Sequence, residues 1–508
     1  MMPTAISPRT LGGLLAVLLL TGCTLGPEYQ RPPTAVGDDT AFLKAPEEAS
    51  PRLEESDVDP WWQRFGDPTT AELVEQALDA NTDLRGAAAR VLQAQAGLRQ
   101  AKGRRWPQVT LGASATRQRN SFVLPEIGRV TPTSTTYSDS LGVSYQTDLF
   151  GGLRRSQQAA WADLLAREAA RDTVAHTVIS ETVRGRVRLA TLSQAADIAR
   201  AIRDSWQETA ELIEARHRRG LASTLELRLT RENLASAEAQ VVNQERQLEQ
   251  ARLALDVLLG RRPGSSPVEA AGLDPLPPLD PVPLGLPVDL LDRRPDLRQA
   301  EMQLAAATAR IGIAMADLFP GLTLTGSLGH NADSLGDLLS SETLIFNLVA
   351  NLVGTVFDGG QRRAAVDSAR AQTEEATAVY AGAVLQALRE VEDALVRDRA
   401  WQEQLAHLEE RASEARAADR MARTRYQRGV EELRDVLETE RRMRSAEEAL
   451  IDARSELWNA RIDLHLALGG DWRPEEEARP ETVVSQAQTP AETSEDPAET
   501  LENTREDI

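Results

Sequence analysis

Proline is absent from two long stretches of this chain, between Pro132 and Pro263 and between Pro320 and Pro474. A proline inside a helix removes a hydrogen bond and clashes with the preceding turn, so long unbroken helices require that absence. The clearest case runs from Leu153 to Arg219, 67 residues with one internal glycine, Gly185. Ala, Leu, Arg and Glu dominate it, all good helix formers. Its apolar residues recur at three- and four-residue steps (Val174, Val178, Val183, Val187, Ala190, then Ile198, Ile202, Trp206), which is the helical period. Such a helix is about 100 Å long at 1.5 Å per residue. A compact domain has no use for a rod of that length, so this chain spans a distance.

Composition narrows the classes. Aromatics are only 4% of the 508 residues, which suits helix packing through Ala and Leu better than one large globular core. The net charge of −21 argues against nucleic acid as a partner. Residues 473–508 hold eleven Asp/Glu against three Arg and read as an acidic disordered tail. Cys23 is the only cysteine, which excludes an intrachain disulfide.

The chain repeats itself. Asp83-Leu84-Arg85 matches Asp296-Leu297-Arg298, and Trp106-Pro107 matches Phe319-Pro320, both 213 residues apart. Gly151-Gly152 matches Gly359-Gly360 at an offset of 208, and Arg219-Gly220 matches Arg428-Gly429 at 209. The sequence thus divides into a first repeat at 67–262, a Pro-rich linker at 263–288 and a second repeat at 289–472. In each repeat a helix ends before the proline, two strands follow, and a Gly-Gly turn launches a long helix. That helix reverses at Gly220 or Gly429 into another.

The strands are expected at about 107–118, 138–148, 320–330 and 344–357. Val109, Leu111, Ala113 and Ala115 alternate with Thr110, Gly112, Ser114 and Thr116; Leu322, Leu324 and Leu328 alternate with Thr323, Thr325 and Ser327. Two-residue alternation over about ten residues is the pattern of a tilted transmembrane strand. Four strands are too few to close a barrel, and an open edge facing lipid is not tolerated. If these strands cross a membrane, other copies must complete the wall. Strand pattern alone leaves open a soluble four-stranded sheet with two helical hairpins.

Residues 1–22 read as a signal peptide, with Arg9 before an apolar run from Leu11 to Leu20 too short to span a bilayer. Leu20-Thr21-Gly22-Cys23 resembles a bacterial lipobox, in which Cys23 is lipidated and becomes the mature N-terminus. An extended strap, 23–66, follows. Trp61-Trp62 are expected to pack it onto the body. Trp106 and Phe319 fit either an interfacial aromatic belt or local packing.

The opening Cys23-Thr24-Leu25-Gly26-Pro27-Glu28-Tyr29, and the stretch Leu290-Leu291-Asp292-Arg293-Arg294-Pro295-Asp296-Leu297-Arg298-Gln299-Ala300-Glu301 with Phe319-Pro320 beyond it, are similar to the hallmarks of the TolC-like outer-membrane factors. More narrowly, they resemble the lipoprotein branch that serves resistance-nodulation-division (RND) efflux pumps. The resemblance implies a mainly α fold with a two-fold internal repeat. It implies a homotrimer whose chains give four strands each to one twelve-stranded β-barrel in the outer membrane, above a long α-helical barrel crossing the periplasm. It also implies passive conduction, with a periplasmic adaptor and an inner-membrane RND transporter as partners, no cofactor, and outer-membrane localisation through lipidated Cys23.

The resemblance places the periplasmic gate and the adaptor-docking tip at the turns Gly220 and Gly429. Tyr426, Asp435 and Glu438 match the family's gate pattern, and Glu226 is acidic at the corresponding place in the first repeat. Asp435 and Glu438 are three apart and share a helix face, so threefold symmetry would make an acidic ring. An arginine that latches the gate in some members is matched here by Glu431; Arg434 is the candidate to replace it. The five histidines lack metal-ligand spacing, and the Gly-Gly joint lacks the P-loop Lys and Ser/Thr; no enzyme is expected. The alternatives are the exit duct of a type I protein-secretion system and a non-conducting coiled-coil tether.

Overall fold

The computed structural model describes residues 24–34, 42–45, 60–126, 128–265, 284 and 287–470. The signal peptide, Cys23, most of the linker and the acidic tail lie outside the described residues.

In each repeat a shorter helix leads, through an extended cap residue, into a 22-residue helix. Helix α1 (Pro68–Ala80) precedes α2 (Thr82–Gly103), where Asn81 accepts from the backbone N–H groups of Asp83 and Leu84, satisfying donors the first turn leaves free. The strands β1 (Gln108–Arg119), β2 (Phe122–Leu124), β3 (Gly128–Val130) and β4 (Thr133–Gln146) come next. Then α3 (Gly152–Arg218) runs 67 residues and α4 (Thr224–Leu258) runs 35.

The second repeat copies this plan. A short α5 (Leu290–Arg293) leads to α6 (Pro295–Ala316), 22 residues with proline in its first turn. After β5 (Gly321–Ala332) and β6 (Leu344–Val353), α7 (Gln361–Gln427) runs 67 residues and α8 (Leu433–Ala467) runs 35. Asp148 and Asp358 start the two long helices alike. Asp148 accepts from the N–H groups of Leu153 and Arg154, and Asp358 from those of Gly360 and Arg362. These anions sit at the positive end of the helix dipole.

Helices α3 and α4 pack as one hairpin and α7 and α8 as another; α6 packs on both α3 and α7 and so joins the repeats. Apolar stripes meet along these lines. Leu73, Val178, Leu189, Leu248 and Leu255 form a core within the first repeat. Leu297, Leu304, Tyr380, Val384 and Val391 form one within the second.

The four long strands make one antiparallel sheet in the order β1-β4-β5-β6, so the repeats meet at the β4–β5 pair. Three strand expectations need adjustment. The second strand begins at Thr133, ahead of the expected 138, because Thr133 to Tyr137 continue the ladder against Arg119 to Ala115. Polar residues on both faces hid the alternation there. The intervening loop contains the small β2–β3 hairpin. The fourth strand stops at Val353, opposite Gly321, ahead of the expected 357. Beyond that point the partner strand reaches Pro320, which has no N–H to give.

Candidate functional site: the strand wall, the strap and the helix turns

The sheet register sorts side chains into two rows. Leu111, Leu141, Leu328 and Phe346 are consecutive partners across all four strands. One residue away, on the opposite face, Thr110, Gly142, Ser327 and Asn347 are likewise consecutive partners. One face is therefore apolar and the other carries hydroxyls, amides and glycine. The apolar face is bare within one chain: Leu111 and Phe346 are each 82% exposed. The outer strands β1 and β6 each pair with one neighbour only, leaving two rows of backbone groups without a partner among the described residues. At the foot of the sheet Phe319 stacks on Phe150 with ring centroids 4.6 Å apart. Trp106 projects from the surface, 73% exposed.

The strap is tied to this junction. Leu25 donates its N–H to the Phe150 carbonyl at 3.2 Å. Arg155, buried in α3, donates to the carbonyls of Leu25 and Gly26 at 3.0 and 2.8 Å. Gly26 lies against Gly312 of α6; a Cβ on Gly26 would sit 2.5 Å from the Gly312 Cα. Tyr29 and Arg31 both donate to the buried carboxylate of Glu301, each at 2.9 Å. The two sequence hallmarks thus recognise each other: the opening motif lands on the Glu301 end of the second. At the strap's end Trp61 and Trp62 are buried, with Trp61 stacked on His465 at 5.4 Å and Phe65 against Trp458 at 4.6 Å. Burial, with Arg461 and Arg64 nearby, pushes the His465 imidazole down to about 3.

The two helix turns have the same geometry. Gly220 and Gly429 both have φ +74°. Leu221 N–H reaches back to Arg216 O at 2.9 Å, and Val430 N–H to Arg425 O at 3.0 Å, closing the helix ends by the Schellman pattern that favours glycine. Glu226 belongs to a capping box. Its carboxylate accepts from the Ser223 N–H at 2.6 Å, and the Ser223 hydroxyl accepts from the Glu226 N–H. The sequence signature of the box is the S-x-x-E spacing of Ser223 and Glu226.

Tyr426 is buried with Ile213, Leu433 and Val436 where the hairpins meet. Burial, and then the charge of Glu226, raise its hydroxyl pKa, partly offset by Arg216. Arg434, the candidate for the latch, lies in the first turn of α8. It stays exposed, 3.9 Å from Asp435. At the turns Arg216 reaches across between the hairpins: its guanidinium lies 5.7 Å from the centre of the Tyr426 ring and donates to Gln427 O. The helix-end position decides this: Arg216 is in the last turn of α3, facing α7, whereas Arg434 leaves the first turn of α8 toward solvent. Glu431 is taken by Arg425 at 2.8 Å. Asp435 opens α8. Glu438 holds Arg441 and Arg442 at 3.0 and 2.7 Å; these bonds lower its pKa to about 2. The acidic face is therefore charged but locally compensated.

A buried ionic knot, unread in the sequence, lies above the turns. Trp206 Nε1 donates to Glu440 Oε1 at 2.5 Å. Arg423 donates to Asp419 at 2.8 Å, to the Ser205 hydroxyl at 2.7 Å and to Glu440 Oε2 at 3.2 Å. Burial raises the Glu440 pKa, against Trp206 and Arg423. The knot pins α3 to α7 and α8. Among the described residues no group of three His, Cys, Asp or Glu could hold a metal ion.

A lipid-type strand face, unpaired sheet edges and two long hairpins have their counterpart in known proteins. The family model described as "Outer membrane efflux protein" matches residues 73–261 and 286–470. The chain belongs to the outer membrane efflux protein family. It is 33% identical to the pyoverdine export outer membrane protein OpmQ of Pseudomonas aeruginosa, over 92% of this chain and 98% of the relative. It is 31% identical to the toluene efflux pump outer membrane protein TtgF of Pseudomonas putida, over 89% and 95%. The solved outer-membrane channel OprN superposes with a TM-score of 0.79 at 33% identity, covering 89% of this chain and all of that one. The structure of CusC gives 0.74 at 27%, covering 88% and all. Outer membrane efflux proteins are channels, not an enzyme family. This chain has their fold class: mainly α, repeated twice, with four strands given to a β-barrel. It is an outer-membrane efflux channel reaching into the periplasm.

Proposed function

We propose that three copies of this chain form one exit duct, anchored through Cys23 and closed at its periplasmic end by the Gly220 and Gly429 turns. A periplasmic adaptor and an inner-membrane RND transporter supply small molecules and energy; the duct itself conducts passively. The observation that carries the assembly is the pair of open sheet edges, β1 and β6, on strands with a lipid-type face. Backbone groups in hydrocarbon must be paired, and β1 of one copy beside β6 of the next supplies partners in a closed ring. Twelve strands, four from each of three chains, leave a lumen wider than the eight-stranded barrels that side chains fill.

The strap supports the anchor. Thr24 follows Cys23, and Leu25 is held at the sheet–helix junction beside the Phe150–Phe319 stack. An acyl group on Cys23 would leave the protein at the level where strands enter the membrane. Such a lipid attachment anchors the chain to the membrane and does not span it.

Native mass spectrometry of the detergent-extracted protein tests the assembly. Three chains per particle are expected, and a strict monomer overturns it. Labelling with radioactive palmitate tests the anchor: the label is expected on the natural chain and lost in Cys23→Ser.

A further inference from the structure

We infer that the barrel section of this duct is blind to the charge of its solute, passing cations, anions and zwitterions alike. The inference rests on the duct reading above and adds the class of cargo that the barrel wall admits. The lumen face comprises the even-numbered residues of β1 and β4, 108–118 and 134–146, and the odd-numbered residues of β5 and β6, 321–331 and 345–353. No Asp, Glu, Lys, Arg or His occurs among them. The four long strands do carry such residues, and all fall on the other face: Arg117 and Arg119 of β1, Asp139 of β4 and His330 of β5. Asp139 and His330 are direct partners there, 3.2 Å apart.

A single charged side chain on the lumen face would be copied by symmetry into a ring. Rings of that kind set ion selectivity in pores. Besides glycines and Ile345, Val349 and Val353 of β6, this wall offers Ser, Thr, Asn and Gln, whose hydroxyls and amides both donate and accept. They can replace part of the hydration shell of either sign of ion. Many are small, and some satisfy each other, as Ser114 and Ser138 do at 2.8 Å. The wall therefore holds no fixed field for a solute to feel. Any sorting by charge in this protein occurs along the helices, which hold most of its acidic residues.

Cysteine labelling tests this on the purified full-length channel in neutral lipid vesicles at about 0.01 M salt, where the Debye length is about 30 Å. Ser140→Cys and Ser327→Cys place thiols on the lumen face; Leu141→Cys places one on the lipid face. The probes are a cationic trimethylammonioethyl methanethiosulfonate and its anionic sulfonatoethyl analogue, with the rate ratio referred to Ser334→Cys in the adjoining loop. Three unit charges roughly 10 Å from a solute would bias the two probes by about tenfold or more.

The expected result is that Ser140→Cys and Ser327→Cys react with both probes at the reference ratio, within about threefold, while Leu141→Cys stays unreacted. Adding Ser327→Asp to the Ser140→Cys chain is expected to create the bias by about tenfold or more. A tenfold bias without that aspartate overturns charge blindness and leaves the duct intact. Silence at both lumen positions, or reaction at Leu141→Cys in their place, overturns the duct reading itself.

Discussion

Replacing Trp206 by phenylalanine keeps most of a buried ring and removes one N–H. That N–H meets Glu440 Oε1 at 2.5 Å, and both residues are buried. The other carboxylate oxygen has Arg423 at 3.2 Å, so the substitution leaves one oxygen of a buried anion without its donor. A hydrogen bond to a charged group contributes about 1.5–3 kcal/mol. Taking about 2 kcal/mol, the equilibrium that docks α3 onto α7 and α8 near the turns shifts roughly 30-fold toward the undocked form. Hydrogen exchange followed by mass spectrometry reads this directly. Peptides covering 200–216 and 432–442 are expected to lose about 30-fold in protection, while 153–170, at the strand end of α3, keeps its natural rate. In a Glu440→Gln background the acceptor is neutral and the bond contributes only about 1 kcal/mol. The same Trp206→Phe change is then expected to cost under tenfold in protection. Natural protection in Trp206→Phe, or an equal loss along the whole helix, would refute the account of the knot as a local fastening.

Gly312→Ala places a methyl 2.7 Å from Arg155 Cγ and from the Leu25 carbonyl; overpacking of about 1–3 kcal/mol should free the strap, and chymotrypsin should cut after Tyr29 about ten- to a hundredfold faster. His465 is held neutral, with its pKa lowered to about 3. The unfolded chain takes up a proton below about pH 6.5 that the folded chain refuses, so this stability is complete above that pH and is lost as pH falls toward 3. The loss is about 1.4 kcal/mol per pH unit per chain. Thermal melting between pH 7 and 5 should show a flatter dependence in His465→Gln, and an unchanged slope would count against the assignment. Glu226→Gln keeps the capping box, since glutamine serves at that position, and should melt as the natural chain does; Glu226→Ala should lose about 0.5–2 kcal/mol of helix stability.

Much of the architecture was legible in the chain because it is local. Missing prolines, three- and four-residue apolar steps, two-residue alternation and the Gly-Gly and Arg-Gly turns each depend on neighbours within a turn or a strand. The duplicated pattern then made each half a check on the other. The early start of β4 escaped because Ser and Thr on both faces erase the alternation that marks a strand, and the β2–β3 hairpin escaped because its strands are only three residues each, too short to show a period.

The sequence by itself determined the repeat, the two 67-residue helices, the reversal points and the shortage of strands that forces copies to share a wall. Only the tertiary structure decided which side chains meet across those elements. It carried Arg216 over the Tyr426 ring of the other hairpin, joined Trp206 to Glu440 from 234 positions away, and set Gly26 of the strap against Gly312. The physical reason is geometric. A helix period tells which face a residue lies on, but a contact also depends on how far one rod slides and turns along another. That displacement is fixed jointly by packing along the whole length of both.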